Sequence, residues 1–147
     1  MCLATYSQFK SLSYKTGYKV FRKLKDGTLL PCYFSPNGIP CISGITGDSE
    51  YKVGNTYCAN HTIVRSLYSG MYFAGFHVCK TLNGAIKYAK YLNIDGCSIV
   101  RVDALCYGEG LDELEVDCYL ASLIKLEKTI VISDDPRNIP YSKEVIT

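Results

Sequence analysis

The sequence predicts an α+β fold, a mostly antiparallel sheet of short strands with one main helix over about residues 81–93. Three observations predict it. Tyrosine occurs 13 times and tryptophan not at all, and tyrosine suits half-buried strands and polar–apolar boundaries. Several short stretches rich in aromatic and β-branched residues are separated by Gly, Pro and Asn. One segment has clear helical periodicity, whereas a doubly wound α/β fold would need several.

Residues 1–16 show no clear period and read as an arm or a first edge element. Tyr18-Lys19-Val20-Phe21-Arg22 reads as a strand. Lys25-Asp26-Gly27-Thr28 is the strongest turn signal, since Asp-Gly between alternating apolar residues favours a tight hairpin. The returning strand is expected over Leu29–Phe34, with Pro31 placing it at an edge. Residues 35–49 read as a loop with one short strand around Ile42. Tyr51–Tyr57 reads as a strand bent at Gly54, and His61–Tyr68 fits strand or helix equally. Tyr72–Cys79 reads as a strand interrupted at Gly75.

The helix follows. Thr81 can cap it, and Leu82, Ala85, Ile86, Ala89 and Leu92 share one face, with Asn93 and Gly96 marking its end. Ser98, Val100, Val102, Ala104 and Cys106 then alternate with Arg101 and Asp103, the pattern of a half-buried strand. Residues 108–118 are acidic and Gly-bearing, a loop, and Leu120–Ile132 holds two strand-like stretches. The expected layout is a single domain over 17–133, between an arm (1–16) and a tail (134–147).

Composition excludes some classes of function. No apolar run approaches the ~20 residues that span a bilayer, so no membrane partner is expected. The start, Met1-Cys2-Leu3-Ala4-Thr5-Tyr6, has no basic region followed by an apolar one, which argues against a secretory leader. The eight cysteines, at 2, 32, 41, 58, 79, 97, 106 and 118, then read as reduced core thiols of a cytoplasmic protein. Their spacing, with that of the two histidines, His61 and His77, matches no zinc site, so no metal is expected. Gly-rich phosphate-binding fingerprints are absent too.

Charge is divided unevenly along the chain. Residues 1–90 hold 11 Lys/Arg and 3 Asp/Glu, residues 91–147 hold 5 and 11. Either the halves neutralise each other, or the first half presents a basic face to an anion such as a nucleotide or nucleic acid. Arg22, His77 and Lys80 are the candidate ligand-binding residues, and no cofactor is required. The acidic run Asp112-Glu113-Leu114-Glu115 reads as a solvated loop, or as a pair of catalytic carboxylates.

Two resemblances add to this. The string Tyr18-Lys19-Val20-Phe21-Arg22, Val53-Gly54-x-x-Tyr57 and Gly75-Phe76-His77-x-Cys79, followed by Ala85 and Tyr88, resembles small, mostly uncharacterised proteins of phages and large DNA viruses. That resemblance implies an accessory viral protein. The basic first half and the lack of a complete catalytic set add the expectation that it binds a host protein or a nucleotide-like anion, for instance to counter host defence. A structural or virion component, with homo-oligomerisation, is the alternative. More loosely, the chain is similar to ADP-ribosyltransferase-like domains, which combine a first-strand Arg or His, a middle-strand hydroxyl and a late Glu. That similarity implies NAD as cofactor and Arg22, Glu113 and Glu115 as catalytic residues, the late Glu steadying a cationic transition state. The middle Ser-Thr-Ser strand is lacking, and Tyr72 and Tyr88 are its loose substitutes.

Overall fold

The computed structural model describes residues 3–31, 50–59, 62–66, 70–92, 96–112 and 114–143. The strands are β1 (Ser7–Lys23), β2 (Leu29–Pro31), β3 (Thr56–Cys58), β4 (Thr62–Ser66), β5 (Gly70–Ala74), β6 (Phe76–Cys79), β7 (Cys97–Leu111) and β8 (Asp117–Ser133). The helix α1 covers Leu82–Leu92, and a short 3-10 turn covers Pro136–Asn138. The fold is thus mostly antiparallel sheet with one helix, more β-rich than a balanced α+β domain. The expectation of short strands is corrected for three elements, since β1 and β8 have 17 residues each and β7 has 15.

The strands form a closed circuit. β1 pairs with β7, β7 with β8, β8 with β6, and β6 returns to β1 through Tyr18↔Cys79. β2 extends the free edge of β1 and β3 that of β8, and Leu29↔Tyr51 ties the segment before β3 to β2. β4 and β5 form a separate hairpin. Closing a sheet on itself removes edges that would otherwise pair with other chains.

Two apolar clusters result. Phe21, Leu29, Tyr51, Phe76, Val78, Val100, Val102, Ala104, Cys106, Ala121, Ile124 and Leu126 form one. The other packs Ala85, Ile86, Ala89 and Leu92 of α1 against Val20, Cys79, Cys97, Ile99, Cys118 and Leu120. β7 serves both by simple alternation, since Cys97 and Ile99 face the helix while Val100, Val102, Ala104 and Cys106 face the other cluster. The extra residue at the register shift opposite Ile99 and Val100 is Ile130 of β8.

The helix forms where its periodicity predicts. Thr81 Oγ1 accepts the Gly84 N–H at 3.0 Å, satisfying an amide of the first turn. The Asp-Gly hairpin is also present: Leu24 N–H donates to Thr28 O, Gly27 takes φ 90°, and Asp26 Oδ1 accepts the Thr28 N–H at 2.9 Å. The strand break at Gly75 separates β5 from β6. The His61–Tyr68 stretch, which fitted strand or helix, is strand β4 over its described part, Thr62–Ser66. The expectations for residues 32–49, which include Ile42 and the end of the returning strand, lie outside the described residues, as do His61 and Glu113.

Three expectations change. The proposed arm joins the sheet from Ser7 onward. Ser13 and Lys15 lie opposite Cys106 and Ala104, on the inner face, while Leu12 and Tyr14 are exposed. With polar residues inward and apolar ones outward, no core-facing period could be read there. The proposed 108–118 loop shrinks to 112–116, because Gly108 and Gly110 let Tyr6 and Thr5 pack directly on β7. The proposed tail docks on α1. Ile139 is buried there, and Asn83 accepts the Ser142 N–H at 2.8 Å. Among the described residues no helix is long and apolar enough to cross a membrane.

Candidate functional site

The candidate residues from the sequence are distributed rather than gathered. Arg22 is exposed near the end of β1, opposite Cys97 at the start of β7. Glu115 lies in the turn beyond the far end of β7. At ~3.3 Å per residue, the contour of β7 between those ends is about 45 Å. The convergence of Arg22 and Glu115 that an NAD-cleaving site requires is therefore not supplied by the sheet register.

The 112–116 turn has a structural explanation of its own. Asp112 is buried, and its Oδ1 accepts the N–H groups of Leu114 (2.8 Å) and Val116 (2.9 Å). Burial raises the pKa of its carboxyl, opposed by those same hydrogen bonds. Glu115 is held at φ 62°, a left-handed conformation that costs a non-glycine residue roughly 1–2 kcal/mol. Its side chain is exposed. Lys87 donates to the Leu114 carbonyl at 2.7 Å and fastens the turn to α1.

Lys80 follows β6 and donates to Glu109 at 2.6 Å, with Asp117 at 3.2 Å and the Tyr119 ring centroid at 4.9 Å. Burial opposes its charge, but both carboxylates favour it, and its pKa is raised. A basic-half residue is thus neutralised by two acidic-half residues, which is the first reading of the divided charge. The shallow depression that Lys80 lines with Thr5, Tyr6, Ser7, Glu109 and Asp117 includes neither Arg22, His77 nor Glu115.

His77 lies opposite Leu120 in the β6–β8 ladder. Its backbone carbonyl accepts from Lys19 Nζ at 3.1 Å. Its Nε2 is shut off from solvent and makes no hydrogen bond among the described residues. Burial holds the imidazole well below its ordinary pKa, and the charge of Lys19 adds to this. His77 is thus a half-buried residue whose Nε2 is closed to solvent and whose imidazole is kept neutral by burial.

This sets a pH dependence. The unfolded imidazole takes a proton near pH 6.5, the folded one only at lower pH. His77 therefore leaves stability intact above about pH 6.5 and lowers it as pH falls, with a limiting slope of about 1.4 kcal/mol per pH unit. Urea unfolding of wild type and His77→Leu between pH 7.5 and 5.5 should show the slope difference. Parallel curves would rule out a neutral buried His77.

A second depression, not foreseen from the sequence, lies at the hairpin end. Lys23, Lys52, Thr28, Ser98 and Thr129 supply its polar wall, and Leu29, Val53 and Ile132 its apolar one, around a volume of about 450 Å³. Asp26 also lines it, with its carboxylate held below the usual range by the Thr28 N–H. The hairpin carrying Lys23 was legible. The arrival of Lys52 was not, because it depends on the Leu29↔Tyr51 bridge. Lys23 and Arg22 alternate along β1, so they point to opposite faces. Among the described residues no group of three His, Cys, Asp or Glu gathers as metal ligands would. No protein-family model matches the chain, and neither a curated protein nor a solved structure matches it.

Proposed function

We propose that the chain is a non-enzymatic accessory protein that binds a phosphate-bearing, nucleotide-like anion at the hairpin end of the sheet. The observation that carries this reading is the pairing of Lys23 with Lys52 around one groove, beside the hydroxyls of Thr28, Ser98 and Thr129. Lysine ammonium groups bind phosphate as point charges, and neighbouring hydroxyls fix its orientation. The volume lies within the range typical of small-ligand sites, and the apolar wall can take a base or ribose. Of the other basic candidates, Lys80 is committed to Glu109 and Asp117, and the Nε2 of His77 is closed to solvent.

Titration calorimetry with ADP tests the proposal. Binding should weaken as salt rises. The Lys23→Gln/Lys52→Gln variant should bind at least about tenfold more weakly, the loss of one charged hydrogen bond being worth about 1.5–3 kcal/mol. Absence of ADP binding at millimolar concentration, or equal affinity in wild type and variant, would overturn it.

A further inference from the structure

Among the described residues five cysteines are free thiols, and two of them face each other. Cys79, the last residue of β6, is the register partner of Cys118 near the start of β8. The next backbone bond, Lys80 N–H to Asp117 O at 3.0 Å, identifies the cysteine pair as a non-hydrogen-bonded pair of the antiparallel ladder. In such pairs the Cα atoms approach to about 4.5 Å, inside the roughly 4.4–6.8 Å that a disulfide spans. Both side chains are buried, and both belong to the cluster beneath α1. Their thiols share a hydrogen bond that, with burial, raises the Cys118 pKa, and Cys118 Sγ also contacts the Val116 carbonyl at 3.5 Å.

The remaining described cysteines lack this geometry. Cys97 and Cys106 are both on β7 and pair with Arg22 and Ser13, not with a thiol. Burial pushes their pKa values up to about 11 and about 12, and their partners across β8, Ser133 and Ala121, offer no thiol either. Cys58 is exposed and lies opposite Leu123.

We propose that Cys79 and Cys118 form a reversible cross-strand disulfide that locks β6 to β8 and so fastens the closed circuit of strands. The oxidant is a low-molecular-weight disulfide. Cys79, deprotonated, attacks one sulfur of it, forming a mixed disulfide and releasing one small thiol. Cys118 then loses its proton and attacks the Cys79 sulfur, releasing the second small thiol. Two S–H bonds are lost, one S–S bond forms within the protein, and the oxidant's S–S bond is reduced to two thiols. Access requires only a local opening, since β6 is held on its β1 side by the single pair Tyr18↔Cys79. A link between directly opposed strand residues is at the short end of the permitted Cα range, so it stores strain and stays reducible. That favours a responsive bond over a permanent structural one.

The test uses the full chain, incubated with mixtures of reduced and oxidised glutathione, quenched by alkylation and mapped by mass spectrometry. The expected result is a peptide cross-link between Cys79 and Cys118 as the first intramolecular disulfide. It should be reversed by excess reduced glutathione, and the oxidised protein should melt several degrees higher. In Cys118→Ser the cross-link should be replaced by a glutathione adduct on Cys79. Should that variant fold poorly, the wild-type map alone decides. Cross-links between other cysteines while Cys79 and Cys118 remain alkylatable, or no intramolecular bond at any ratio, would overturn the proposal.

Discussion

Replacing Phe76 by alanine is expected to cost about 3–5 kcal/mol, the usual range for removing a fully buried aromatic side chain. Phe76 has no exposed surface and sits where β6 closes the circuit. Its ring is 6.4 Å from Tyr51, which lies 5.3 Å from Phe21 and 4.6 Å from Tyr57. Lys19 Nζ stands 5.7 Å from its centroid, so truncation also removes a cation–π contact. Tyr51 and Lys19 flank this side chain, and Tyr51 is in turn held by Phe21 of β1 and Tyr57 of β3, so filling the gap would pull on residues tied into several strands. Urea unfolding should show a lower midpoint at unchanged slope. A loss under about 1 kcal/mol would mean that the core relaxes far more than close packing allows.

Substituting Gly17 by alanine is the second large effect, about 1–3 kcal/mol, as for overpacking. Gly17 is buried in β1 where β6 crosses it. An added Cβ would meet Val78 Cγ1 and, at 2.7 Å, the backbone carbonyl of Cys79. A side-chain tip could rotate aside, but a backbone carbonyl cannot, so β6 must move off β1. The predicted signature is therefore local as well as global. Amide exchange in β6 should quicken more than in β7 or β8, whose mutual pairing runs from Cys97↔Ser133 to Leu111↔Asp117. Uniform exchange and wild-type stability would show that the β1–β6 crossing has slack.

The elements that could be read from the amino-acid order are those whose signal is local. Helix α1 was legible because Ala85, Ile86, Ala89 and Leu92 repeat at helical spacing behind a threonine cap, and all four are buried. The Asp26-Gly27 turn was legible because φ 90° at its glycine is a single-residue requirement. The strand break at Gly75 and the alternation of Val100, Val102, Ala104 and Cys106 belong to the same kind.

Long-range pairing decided the rest. Ser7–Thr16 becomes strand because β7 lies beside it, not because of any apolar period of its own. Gly108 and Gly110 look like loop residues, yet they serve close approach by Thr5 and Tyr6. Arg22, His77 and Lys80 share a charge or a nitrogen but no cleft, since strand alternation and burial send them to different surroundings. Lys23 and Lys52, and likewise Cys79 and Cys118, are unremarkable in sequence and adjacent in space. Composition and periodicity therefore determined helix α1, the Asp-Gly turn and a mostly antiparallel sheet with one helix. Which side chains meet was decided only when the sheet closed, because register is a property of two strands and no single segment encodes it.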